Sequence, residues 1–201
     1  MRKSKIETVA ALPDLRALHE RHYALMPEQC QYFFGIACVS LGRHHEPPTT
    51  CFSVQNRGVS LPRELLWEAP SSRLVTSQHN NDDATRDAAY IVAIAAIEDQ
   101  LGLVAIDRME TRTGADYLVA PPGPLPADYE DTIRLEIAGQ DRGKEGALRS
   151  RLKRKVEQLR EGDACRPGMA AVVGFESAMV LMADMETSVA PGVVVEGEGD
   201  E

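Results

Sequence analysis

The sequence predicts an α/β protein built on a mixed central sheet with helices on both faces. Three observations predict it. From residue 82 onward the pattern runs helix, strand, strand, strand, helix, strand, an alternation that a mixed sheet covered on two sides explains. Residues 88–97, AAYIVAIAAI, are apolar nearly all round, as in a helix buried on more than one face. The chain of 201 residues, with 43% hydrophobic and 26% charged side chains, is long enough to bury a core as one domain.

The elements follow in order. Residues 1–28 read as a helix, with Leu12, Leu15, Leu18 and Leu25 near helical spacing. CQYFFGIACVSL (30–41) and TTCFSVQ (49–55) are rich in aromatic and β-branched residues, and RHHEPP between them forms turns, which predicts a β-hairpin with a polar tip. A third short strand is expected at 65–67 or 73–76. HNNDD caps a helix over 83–101, which Gly102 ends. Strands are expected at 103–109, 115–120 and 132–139, the first two joined by the turn ETRTG and the last two by a loop rich in proline and glycine. Residues 143–162 form a helix with Leu148, Leu152, Val156 and Leu159 on one stripe, and 169–182 contain a final strand. The single domain therefore covers 1–186, with 1–81 as an N-terminal extension, 82–186 as the core, and 187–201 as a disordered acidic tail.

Composition excludes several classes. The longest apolar run has ten residues, and a bilayer span needs about 20. The basic start lacks the apolar segment of a secretory signal, so a cytoplasmic location is expected. Four cysteines without a CxxC pair make no disulfide framework. Cys38, His44, His45 and Cys51 could surround zinc, but their spacing matches no common zinc site; buried thiols beside a polar turn are the other reading. Nothing resembles a Gly-rich phosphate loop, GxSxG or HExxH.

Two features carry chemistry. Period-two alternation puts Arg134, Glu136 and Ala138 on one face of their strand and Ile133, Leu135 and Ile137 on the other. Glu136 is thus a carboxylate in mid-strand, a position that demands a partner. If the strand holding Asp116 is its neighbour, at a spacing of about 4.8 Å, the two acids approach one another. Mg²⁺, which favours one or two carboxylates and several waters, would relieve their repulsion. An ion pair of Glu136 with Arg112, Arg134 or a helix lysine is the competing reading, and Asp116 after Gly114 and Ala115 could instead close a turn. The second feature is the helix. Between residues 142 and 160 stand eight basic and two acidic side chains, so a chain of net charge −9 concentrates its positive charge there. Arg149, Lys153 and Arg160 lie to one side of the apolar stripe, Arg151, Lys155 and Gln158 to the other. Such a face suits a phosphate backbone, an acidic protein partner, or solvent.

GADY on the second strand and RLEIAG on the third, followed by a Lys-x-Lys helix, resemble the PD-(D/E)XK nuclease-like superfamily, and in particular its small bacterial members. The resemblance covers about half the chain and implies a restriction-endonuclease-like αβββαβ core, preceded by the N-terminal helix and hairpin, which would supply a substrate or partner surface. It implies that Asp116 and Glu136 are metal ligands and catalytic residues, with Glu98 or Asp99 a further acidic ligand, and Mg²⁺ the cofactor. The lysine the family carries two residues after the glutamate is Ala138 here, so the resemblance transfers that role to Lys153 or Lys155. Arg149, Arg151, Lys153 and Lys155 would hold nucleic acid. The function implied is metal-dependent cleavage of a nucleic-acid phosphodiester. The alternative is a fold that no longer cleaves and serves as a binding or assembly subunit, for instance in a bacterial defence complex; a nucleotide-binding regulatory domain is a third reading.

Overall fold

A computed structural model describes residues 9–110, 114–126, 128–129, 131–161 and 166–185; Arg112, Cys165 and the tail from 187 onward lie outside the described residues. A 3₁₀ helix, Leu15–Glu20, precedes α1 (Pro27–Leu41), β1 (Thr49–Asn56), β2 (Val59–Leu66), the short α2 (Ser72–Ser77) and α3 (Asn81–Leu101). There follow β3 (Val104–Arg108), β4 (Tyr117–Ala120), β5 (Ile133–Gln140), α4 (Glu145–Glu161), β6 (Gly168–Gly174) and β7 (Met179–Asp184).

From α3 onward the elements fall where periodicity puts them, with one addition. Residues 169–182 hold parts of two strands, because the chain reverses through residues 175–178 and β7 returns antiparallel to β6. The N-terminal third differs more. CQYFFGIACVSL is not a strand but most of α1. Its aromatic and β-branched content misleads; the buried residues Cys30, Phe33, Phe34, Ala37, Cys38 and Leu41 recur at helical spacing. Pro27 pre-sets the first turn, and the Gln29 side chain accepts the Met26 backbone N–H at 2.8 Å. The hairpin forms instead between β1 and β2, around Arg57 and Gly58, both at positive φ (48° and 80°) as a tight two-residue turn needs. Residues 1–28 do not make one long helix: of the described part only the 3₁₀ segment and the first two residues of α1 are helical, although Leu12, Leu15, Leu18 and Leu25 are all buried as their spacing implied. Leu65 lies in β2, and residues 73–76 belong to α2.

The strands make one seven-stranded sheet in the order β2-β1-β7-β6-β5-β4-β3. Pairs β1–β7 and β5–β6 are parallel and the others antiparallel, so the sheet is mixed. One face buries Phe52, Val54, Leu135, Ile137, Ala171 and Val173 beneath the 3₁₀ helix, α1 and α3. The opposite face buries Ala138, Ala170, Val172 and Leu181 beneath the α4 stripe Leu148, Leu152, Val156 and Leu159. Alternation along β5 therefore serves both layers, and among the described residues α4 is the helix that covers the second side of the sheet.

Two contacts on β5 set the helices that surround the site. Gly139 lets α3 touch the strand: a Cβ there would lie 2.2 Å from the Thr85 carbonyl oxygen, inside any permitted contact. Arg134, fully buried, donates from Nη2 to the Leu159 carbonyl at 3.1 Å and the Arg166 carbonyl at 3.3 Å, placing a cation where the last carbonyls of α4 lack helical partners. A methyl group at Gly139 must push α3 off the sheet. Gly139→Ala is expected to cost about 1–3 kcal/mol, the range for overpacking a tight core, and to lower the melting temperature measured by circular dichroism; an unchanged melting temperature would show that α3 is not seated on β5.

Candidate functional site

The site lies where β4 and β5 part. Tyr117, Leu118 and Val119 pair with Leu135, Arg134 and Ile133, and the Asp116 N–H still donates to the Leu135 carbonyl at 2.8 Å. Beyond that the ladder stops. The Asp116 carboxylate turns into the opening, accepting the Ile137 N–H on Oδ2 at 2.7 Å and the Tyr90 hydroxyl of α3 on Oδ1 at 3.0 Å. Glu136, two strand positions from Arg134, points to the α4 side as the alternation predicts. Its Oε1 accepts from the Lys155 ammonium and, at 3.2 Å, from Gln158 Nε2. Its Oε2 accepts no hydrogen bond among the described residues.

Two acids from adjacent strands thus converge, as the sequence led one to expect. Their electrostatics reflect it. Burial holds the Asp116 carboxyl above its usual range, against the pull of the Ile137 N–H, the Tyr90 hydroxyl, Lys155 and Arg108. Glu136 is raised as well, by burial first and the Asp116 charge second, and Lys155 compensates only in part. Burial and the neighbouring Asp116 also push the Tyr90 phenol well up, so its proton stays in place to hold Asp116. Tyr117, packed edge-on against Tyr90, is pushed up to about 12 by burial.

The pair opens onto two clefts that meet at Arg86, Tyr90, Asp116 and Glu136. One, of about 860 Å³, runs between α3 and α4 and is lined by Arg142, Arg151, Arg154 and Lys155. The other, of about 680 Å³, runs toward α1 and is lined by Tyr32, Phe33 and Arg108.

The helix residues sort themselves. Lys155 is the lysine that reaches the acids. Lys153 is 68% exposed and faces Glu157 at 4.0 Å, so it has no part in the site. Arg151 lines the larger cleft, whereas Arg149 turns away to Glu145 and, at 3.0 Å, to Gln55. The expected third ligand is overturned. Glu98 sits near the far end of α3, bonded to Arg21 and, at 3.0 Å, to His22 Nε2, and these partners hold its carboxyl below the usual range although burial opposes them. Asp99 is likewise taken, by Arg63 at 2.8 Å. One helical turn shifts a side chain about 5.4 Å along the axis, and Glu98 is eight residues from Tyr90. The zinc grouping also dissolves: Cys38 is buried in α1, Cys51 is exposed, His44 meets Asp141 at 3.1 Å, and His45 meets the Phe175 carbonyl at 2.6 Å. Among the described residues no three His, Cys, Asp or Glu side chains gather as a metal site.

Tyr90, Arg86 and Arg154 are site residues that sequence reasoning missed; Gln158 it placed beside Lys155 on α4, without a role at the acids. Tyr90 had a signal: it is the one polar atom bearer in an otherwise apolar ten-residue run. Arg154 lies one residue from Lys155 and three from Arg151, on the same turn.

Fold and site together define an α/β protein with a seven-stranded mixed sheet, carrying a carboxylate pair and a lysine at the floor of a cleft. Comparison with models of known families, with curated proteins and with solved structures gives no match to this chain.

A raised carboxyl costs folding free energy when ionised. That cost is present in full above its folded pKa and vanishes below the ordinary value of 3.8. Asp116→Asn keeps the shape and can still accept the Ile137 N–H. At pH 8 it is expected to stabilise the fold by about 1 kcal/mol, the gain common when a strained site is relaxed, and so to raise the melting temperature by about 2–4 °C. The gain should shrink as pH falls toward 4 in a thermal scan across that range. A variant less stable than wild type at pH 8 would show that the ionised pair is not strained.

Proposed function

We propose that this protein is a divalent-metal-dependent phosphodiesterase acting on nucleic acid. The observation that carries the reading is the convergence of Asp116, Glu136 and Lys155 on one cleft floor beneath a basic helix. The donor set fits a hard cation such as Mg²⁺: two carboxylates under mutual repulsion, one of them with a free oxygen. Asp116 and Glu136 would hold that cation, which when bound offsets negative charge on phosphate and makes water a better nucleophile.

The remaining work belongs to the chain's own side chains. Tyr90 and the Ile137 N–H fix the angle of Asp116. Lys155, drawn to Glu136, can donate to a water entering the cleft or to a non-bridging phosphate oxygen, steadying negative charge as the water oxygen bonds to phosphorus and a P–O ester bond breaks. Arg151 and Arg154 line the cleft and make no ion pair among the described residues, which leaves them to grip neighbouring phosphates. No helix of the described residues is long and apolar enough to cross a membrane.

A second reading has its own support. Lys155 and Gln158 together satisfy Glu136 Oε1, and Ala138, at the family's usual lysine position, is packed against α4. Such a site could bind without cutting, as a subunit that recruits nucleic acid or an acidic protein.

Cleavage assays in Mg²⁺ or Mn²⁺, on a plasmid and on a labelled single-stranded oligonucleotide, separate the two. Cleavage is expected from the wild type and to drop at least about 100-fold in Glu136→Ala and in Lys155→Met, the scale on which loss of a preorganised charged group acts. In parallel, Mn²⁺ should raise the melting temperature of the wild type and not that of Asp116→Asn. Equal cleavage of both substrates by wild type and Glu136→Ala rules out the enzyme.

A further inference from the structure

The two clefts differ in chemistry although they share a floor. On the α4 side the wall offers Arg151 and Arg154, cations without carboxylate partners among the described residues. On the α1 side the wall is aromatic. Tyr32, 51% exposed, stands 5.6 Å from Phe33 between ring centres; Phe33 stands 5.8 Å from Tyr90, and the Tyr90 hydroxyl meets Asp116. A row of rings therefore leads from solvent to the acid pair. Charged groups on this side are largely engaged: Asp87 accepts from Arg86 at 3.0 Å, and Arg108 lies over the rings of Tyr90 and Tyr117 at 5.6 and 5.9 Å.

Cations on one side and exposed aromatic surface on the other are what a nucleic acid with unpaired bases requires. Phosphates go to arginine, and a base face goes to a ring. In a duplex the base faces are covered by their neighbours, so Tyr32 would have nothing to stack on. Resting on the phosphodiesterase reading, we propose that the substrate is single-stranded nucleic acid lying across Asp116 and Glu136, its backbone against Arg151 and Arg154 and a base stacked on Tyr32. The helix α1 then does what the N-terminal extension was expected to do, in a different form: it supplies a substrate surface.

The test is fluorescence anisotropy with a labelled single-stranded 20-mer, as DNA and as RNA, and the matching DNA duplex, at low salt with EDTA present so that no cleavage intervenes. The single strand should bind more tightly than the duplex. Tyr32→Ala should weaken single-strand binding by about tenfold, within the range for losing one base–aromatic stack, while Tyr32→Phe restores it and duplex binding stays as it was. Arg154→Ala should weaken single-strand and duplex binding alike and reduce the salt dependence. The DNA and RNA arms show which sugar is preferred. Tighter duplex binding, or a Tyr32→Ala variant that binds single strands like the wild type, overturns the proposal. Its failure is distinct from that of the parent reading. Metal-dependent cleavage with Tyr32-independent binding sinks only the single-strand proposal, and Tyr32-dependent binding without cleavage of plasmid or single strand sinks only the catalysis.

Discussion

Two carboxylates kept side by side and largely withdrawn from water at the floor of a cleft are what the surrounding structure must tolerate. Asp116 and Glu136 are both less acidic than free carboxylates, because burial disfavours the ionised form of each and the Asp116 charge adds to it at Glu136. A protein selected for stability alone would replace them. Their presence at the end of a broken ladder is explained if an arriving cation offsets the cost. The neighbours read sensibly in that light: a phenol that cannot ionise, a backbone amide, and one ammonium group, which steady the pair without neutralising it fully.

The layering follows from β5. Its residues alternate between an apolar layer shared with α1 and α3 and a second layer shared with α4 alone. Because the α4 layer is thin, Glu136 can meet a lysine whose body stays partly solvated; Lys155 remains 23% exposed at its side chain. A second helix on that face would have buried the pair and closed the cleft. The opening on the other flank comes from α3, seated directly on the Gly139 backbone, which brings Tyr90 down to the acids.

Much of this was legible. The core order from α3 onward, the neighbouring strands, the face of Glu136 and the division of the basic helix into two sides all follow from periods of two and 3.6. The break-up of residues 1–28 and the second strand within 169–182 were not, and three further points escaped. In α1, aromatic and β-branched composition argued for a strand, while the spacing of Cys30, Phe34, Cys38 and Leu41 argued for a helix, and burial follows the spacing. Glu98 looked eligible because a helix position says nothing of which end meets the strands; only tertiary packing hands it to Arg21 and His22. The choice of Lys155 over Lys153 depends on a rotation of α4 that its stripe defines only to within a residue or so.

Arg134 has a consequence for how the site can respond. It and Glu136 leave the same face of β5 two residues apart, and both hold α4, one at its closing carbonyls and the other at Lys155. The helix is therefore anchored twice to a single strand. Should something cationic take Glu136 from its lysine, the anchor at Arg134 persists and the backbone need not travel. Adaptation on ligand arrival would be a matter of one swinging ammonium group, fast and local, with the scaffold left as it stood.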